Sequence, residues 1–144
     1  ETNGMTLSDP EFAQQLSRFR NLHVRVSIKG TNADEYHTLT GARPSSYELP
    51  FQALRNLIDA GVSVNACVMA SFSTDQGIRE IRTRLSDIRP GLLLSLEIEF
   101  ITLFPKVAER LRKEGLAPNR IGHRGQVLRR SVNPKRDARS KKAA

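Results

Sequence analysis

Residues 22–29 alternate strictly: Val24, Val26 and Ile28 point one way, while His23, Arg25, Ser27 and Lys29 point the other. That period of two predicts a strand with one apolar and one polar face. Over 62–69 the same pattern sets Val62, Val64, Ala66 and Val68 against Ser63, Asn65, Cys67 and Met69. Over 92–101 it sets Leu94, Leu96, Ile98 and Phe100 against Ser95, Glu97 and Glu99. Between these runs the period becomes helical. Ser8-Asp9-Pro10-Glu11 is a helix start, with a capping residue, Pro at the first helical position and an acid in the first turn. It predicts a helix to about residue 20 with Phe12, Leu16 and Phe19 as its apolar stripe. Asn32-Ala33-Asp34-Glu35 is a capping box for a short helix that Gly41 ends. Residues 47–60 predict a long helix turning Leu54, Leu57 and Ile58 inward, with Gly61 as terminator. Ser73 or Thr74 caps a helix reaching residue 88 on a stripe of Ile78, Ile81, Leu85 and Ile88, and Pro90-Gly91 breaks it. A last helix spans 105–114 and closes at Gly115.

Strands alternating with helices at this spacing predict an α/β fold of βα units around a parallel sheet. The handedness of such crossovers puts the helices on one side. Strands buried on both faces read as unbroken apolar runs; these do not. Helices on one face and polar side chains on the other predict a curved sheet or partial barrel whose concave side lines a cavity. That polar face collects Arg25, Ser27, Lys29, Asn65, Cys67, Glu97 and Glu99. Charges held there need partners. Internal salt bridges such as Lys29 with Glu97 would satisfy them, and so would a zwitterionic or phosphate-like ligand.

Charge divides the chain of 144 residues unevenly. Residues 1–117 balance fourteen Lys/Arg against fourteen Asp/Glu, whereas residues 118–144 carry nine against one, Asp137. The helical and strand periods also lapse there, so 117–144 reads as a basic, disordered tail after a domain at 1–116. Such a tail is a solvated extension or a phosphate-binding arm for RNA or DNA, although it has no aromatic residue to stack on bases. The lone Cys67 excludes an internal disulfide framework and any multi-cysteine metal centre made from this chain alone. Glu97 and Glu99 interrupt the longest apolar stretch, so no membrane span is expected. Without a visible signal peptide, a reducing cytoplasmic setting is the expectation.

Other constellations are weak. Glu97 and Glu99 emerge from one strand face about 7 Å apart, a spacing that suits substrate contact or pairing with Arg25 or Lys29 better than a glycosidase pair. His23, His37 and His123 show no metal spacing, and each reads as a surface or packed histidine. Cys67 reads as a small filler on its strand. Gly122-His123-Arg124-Gly125 is too short, and too far from a strand, for a phosphate loop.

Three segments carry a family resemblance. Glu1-Thr2-Asn3-Gly4 is an acid-Thr-Asn-Gly turn. Ser27-Ile28-Lys29-Gly30 ends a strand in Lys and leads through a short helix to Leu39-Thr40-Gly41. Asn56-Leu57-Ile58-Asp59-Ala60-Gly61-Val62 enters the next strand. In order and spacing these resemble the radical S-adenosylmethionine enzymes, in particular the activating enzymes of glycyl radical enzymes, over about residues 1–116. The resemblance implies the C-terminal half of a (βα)6 TIM-like barrel, with Glu1 to Gly4 closing its third strand. The CxxxCxxC loop that holds a [4Fe–4S] cluster in that family would lie before residue 1, in a longer parent chain, so the chain as written has no radical activity of its own. It further implies S-adenosylmethionine contacts from Glu1, Thr2, Asn3, Ser27, Lys29 and Asn65, with Glu97 and Glu99 facing an unidentified substrate, a protein, another macromolecule or a small molecule, and the N-terminal half of the same barrel as a partner. Where the family has Asp two residues before its Lys, this chain has Ser27. The competing expectation is a non-catalytic α/β remnant that binds a partner, RNA through its tail included.

Overall fold

The structure is a computed structural model that describes residues 1–122. The expected arm falls mostly beyond them, as does His123. Helix α1 (Pro10–Leu16) is followed by β1 (His23–Lys29), α2 (Ala33–Thr40), α3 (Leu49–Asp59), β2 (Ser63–Met69), α4 (Asp75–Ile88), β3 (Glu97–Glu99) and α5 (Pro105–Lys113). The caps read from the sequence are present. Asp9 accepts from Glu11 N at 2.9 Å, Asn32 from Glu35 N at 2.9 Å and Thr74 from Gly77 N at 3.0 Å. Gly41 leaves α2 in the left-handed region at φ 70°.

The three strands pair in parallel in the order β1-β2-β3. Thr2 extends the sheet beyond β1 by a parallel bridge to Val26: Thr2 N donates to Arg25 O at 2.9 Å, and Ser27 N donates to Thr2 O at 2.8 Å. Spatial order therefore follows chain order from the N-terminal residues to β3. The even-numbered faces of β1 and β2 are buried with Phe51, Leu54, Leu57, Ile81, Leu85 and Leu92 in one core, so α3 and α4 share a single side of the sheet. Asn56, 7% exposed, lies in α3, and its Nδ2 donates to Leu7 O and Ser8 O at 3.0 and 2.9 Å. It fastens that helix to the N-terminal turn.

Four expectations are corrected. The strand expected over 92–101 shrinks to Glu97–Glu99. Pro90–Leu93 winds into a 3-10 turn, with Leu92 N bonded to Arg89 O and Leu94 N to Gly91 O. Proline fixes the backbone of that turn, Leu92 becomes core, and Leu94 points out at 86% exposure. The helix expected from 47 starts at Leu49, after a 3-10 turn over Pro44–Glu48, because Pro50 suits only a first turn. Helix α1 ends at Leu16, and it packs through Ala13. Phe12 and Phe19 of the expected stripe stand about half exposed. Of the disordered tail expected from 117, Asn119 and Arg120 are instead bound to the body, as described below.

Gly77 marks a close approach. It lies in the first turn of α4, where a methyl group would collide with Thr31 Oγ1 in the loop after β1 and lie 3.1 Å from Thr31 Cβ. Helix propensity alone favours Ala here by about 1 kcal/mol. The overpacking should outweigh it, so Gly77→Ala should lower unfolding stability by about 1–2 kcal/mol in urea titration. Adding Thr31→Ala should recover part of that loss.

Candidate functional site

Parallel register arranges the polar face in rows. Arg25 lies level with Asn65; Ser27 with Cys67 and Glu97; Lys29 with Met69 and Glu99. The Arg25 guanidinium spans these rows. Nε donates to Glu97 Oε2 at 3.1 Å, Nη1 pairs with Glu1 Oε2 at 2.6 Å, and Nη2 reaches both Glu99 Oε1 and Cys67 Sγ, the latter at 2.8 Å. One cation thus links the N-terminal residues, β1, β2 and β3. Asn65 continues the network: its Nδ2 donates to Glu97 Oε1 at 2.9 Å, and its Oδ1 accepts from His23 Nε2 at 2.9 Å. A neutral His23 with that tautomer accepts from Ser63 Oγ at Nδ1, 2.8 Å away.

This arrangement revises the expected pairing. Glu97 meets Arg25, not Lys29. Register sets Glu97 level with Ser27, and the long Arg25 side chain reaches up one row to it. Burial alone would lower the Arg25 pKa, but the Glu99 and Glu97 carboxylates outweigh it and raise it. Burial likewise opposes ionisation of Glu99, yet hydrogen bonds from Cys67 and Arg25, with the charges of Arg25 and Lys29, hold it below the usual carboxylate range. The Cys67 thiol is pushed up to about 12, first by burial and then by its hydrogen bond to Glu99.

Cys67, Glu97 and Glu99 offer ligand atoms within 4.8 Å of one another. Arg25 already supplies the cation among them, and a thiol that keeps its proton is a poor metal ligand. A cluster fits no better, for Cys67 is fully buried and alone.

The remaining expected residues divide. Thr2 Oγ1 accepts from Gly4 N and Asn3 Oδ1 from Met5 N, both at 3.1 Å, so these side chains form the turn after the bridge. Asn65, 4% exposed, is committed to His23 and Glu97. Ser27 and Lys29 differ. Ser27 is 6% exposed and its Oγ has no hydrogen-bond partner. Lys29, half-buried, makes no hydrogen bond or ion pair among the described residues. They are neighbours on one face at the C-terminal end of β1, the edge at which open α/β sheets take ligands.

Sequence reasoning missed how that edge is fastened. Glu35 reads as a local cap, yet its carboxylate also accepts from Thr31 N at 2.8 Å and from Ser73 Oγ at 2.6 Å, joining the loops after β1 and β2. Asn119 N and Arg120 N both donate to Ser71 O, at 2.7 and 3.0 Å, and Asn119 Nδ2 donates to Phe72 O at 2.8 Å. Arg120 also donates to Ser73 O and pairs with Asp75. The signal for Glu35 was its place after a strand end; Asn119 and Arg120 were hidden in a run of charge.

No protein-family model, curated protein or solved structure matches the chain.

Arg25→Met leaves three carboxylates facing one another and should cost about 2–3 kcal/mol, somewhat below a fully buried pair because Arg25 keeps some solvent. Glu99, depressed by Arg25, contributes stability above the unfolded carboxylate pKa, and that contribution is lost as pH falls through the folded value. The native chain should therefore lose stability on acidification below about pH 5, while Arg25→Met should gain relative to it. Urea titrations of both across that range check the sign. Cys67 should stay unreactive toward a thiol reagent at about pH 8 until the chain unfolds.

Proposed function

We propose that residues 1–116 are the C-terminal portion of a radical S-adenosylmethionine enzyme of the activating-enzyme type, the curved sheet being half of a (βα)6 barrel. One observation carries this reading: at a parallel-strand end, a buried Ser27 hydroxyl without a hydrogen-bond partner is followed two residues on, along the same face, by a Lys29 that makes no ion pair among the described residues. Every other charged group on that face is engaged by its neighbours. A buried hydroxyl left unsatisfied costs about 1–3 kcal/mol, and a cation with an adjacent donor suits a ligand carboxylate. The methionine moiety of S-adenosylmethionine supplies such a group. Strand order that follows chain order, with helices on one side, also agrees with a singly wound barrel.

The residues divide in their fitness for the cofactors. Ser27 and Lys29 fit S-adenosylmethionine, with Lys29 holding its carboxylate and Ser27 donating to the same group. The turn at Thr2–Gly4 lies on the next strand position and would flank them. Bound and reduced at a [4Fe–4S] cluster, S-adenosylmethionine supplies a hydrogen-abstracting radical. This chain has no donor set for the cluster, so no step of that chemistry runs through its own residues. Glu97 and Glu99 are held by Arg25, and their role toward substrate is to shape and charge the wall, with Glu99 and Glu1 keeping exposure.

In the parent enzyme, reconstituted with iron and sulfide and reduced, S-adenosylmethionine should yield 5′-deoxyadenosine, while this chain alone yields none. Lys29→Ala in that protein should weaken S-adenosylmethionine binding by about tenfold, the loss of one charge-assisted contact. Unchanged affinity by calorimetry would remove Lys29 from the site, and a parent chain without a cluster would end the radical reading.

A further inference from the structure

Helix α5 is set apart from the rest of the fold. None of its residues is buried, and its apolar positions Val107, Ala108 and Leu111 lie outside the core. Its one ion pair among the described residues, Lys113 with Glu109 at 3.1 Å, is internal to the helix. Gly115 ends it in the left-handed region at φ 66°, and Leu116 N donates back to Leu111 O at 2.8 Å. The segment is held at its two flanks. On the entry side, Ile101 N donates to Ser71 Oγ at 2.6 Å. On the return side, Gly122 N donates to Ile101 O at 3.0 Å, and a methyl group at Gly122 would lie 2.7 Å from Phe100 O. Residues 102–121 thus leave and rejoin the body at one place, just beyond the C-terminal end of β3. A helix with few buried contacts and pinned ends opens at low cost, the form that lids take.

The return flank also reaches the ligand edge. Asn119 and Arg120 donate to the carbonyls of Ser71, Phe72 and Ser73, so two residues satisfy three successive carbonyls of the loop after β2. Ser73, fully buried, donates from Oγ to Glu35 Oε2 at 2.6 Å, and the same oxygen accepts from Thr31 N at 2.8 Å. Gly30, at φ 78°, has no room for a side chain: a Cβ there would lie 2.8 Å from Glu35 Cβ. Every link from Arg120 to the residues after Lys29 is a direct contact.

We propose that Asn119 and Arg120 are positioning residues for the Lys29 loop: they seat the loop after β2, which holds Glu35 against Gly30 and Thr31, so that opening of the hinged segment 102–121 loosens the edge at Ser27 and Lys29. Coupling of this kind needs an element with two arrangements that both sites bias, and the α5 segment, seated or released, supplies it. The Asp75 carboxylate that pairs with Arg120 is exposed and adds little, so the carbonyl bonds carry the link. The coupling between the two segments stands on these contacts; its bearing on a ligand rests on the S-adenosylmethionine reading.

The test is amide hydrogen exchange of the full 144-residue chain, followed by nuclear magnetic resonance. In the native chain the amides of Glu109 to Lys113 should exchange at least about tenfold faster than those of Ile81 and Leu85 in α4. Asn119→Ala combined with Arg120→Ala should speed exchange at α5 and at the Thr31 amide by about tenfold, the scale of one or two lost hydrogen bonds, with Val26 and Val68 unmoved. Ser73→Ala should speed Thr31 and leave α5 as it was, because it cuts the path beyond the seat. Exchange in α5 as slow as in α4, an unchanged Thr31 in the double variant, or Val26 and Val68 accelerating with it would each overturn the proposal. S-adenosylhomocysteine should bind the double variant about fivefold more weakly than the native chain, the low end for coupled sites; equal affinity would overturn the link to the ligand edge. A native chain that does not bind it contradicts the S-adenosylmethionine reading, and the exchange rates still decide the coupling.

Discussion

One guanidinium organises the polar side of this sheet. Arg25 meets Glu1, Glu97, Glu99 and the Cys67 sulfur, so the first residues of the chain and β3 answer to the same cation. Hydrophobic burial on the other face is non-directional and would tolerate slippage of β3, which is only three residues long. The ion network supplies direction. In the observed register, carboxylates two residues apart on β3 both reach Arg25, and Asn65 holds the other oxygen of Glu97 from the central strand.

That closure defines what is left for chemistry. Once Arg25, Asn65, Glu97 and Glu99 are mutually engaged, the polar face is not a generally wet cavity wall. It is a partly exposed network, and Ser27 and Lys29 at its upper edge make no hydrogen bond within it among the described residues. Glu35 and Ser73 hold the two loops above that edge together, and Gly77 lets α4 approach closely enough for them to do so. The proposed ligand site lies at the edge of this network, and its location follows from which groups the network does not hydrogen-bond.

Much of the fold was legible because burial on one face imposes the period of two on β1 and β2, and because the caps at Asp9, Asn32 and Thr74 are local chemistry. The third strand was misjudged for a physical reason: an apolar run after Pro90-Gly91 satisfies a strand and a 3-10 turn equally, and only tertiary contact with α4 buries Leu92 while leaving Leu94 outside. The membership of the polar face was readable from alternation; its pairing was not. Whether Glu97 meets Arg25 or Lys29 depends on register between strands distant in sequence, which no local pattern encodes. The same holds for Asn119 and Arg120, whose partners lie more than forty residues earlier. Among the described residues no helix is long and apolar enough to cross a membrane, as the interrupting Glu97 and Glu99 suggested.

The proposal that Ser27 and Lys29 receive the ligand is tested most directly by nuclear magnetic resonance of the 144-residue chain, titrated with S-adenosylhomocysteine and read at assigned amides and at the Lys29 ammonium. The account predicts shifts centred on residues 27–31 and the Thr2–Gly4 turn, with the Arg25 and Asn65 side-chain signals unmoved. Shifts centred on another surface, or displacement of Arg25 from its carboxylates on binding, would contradict it.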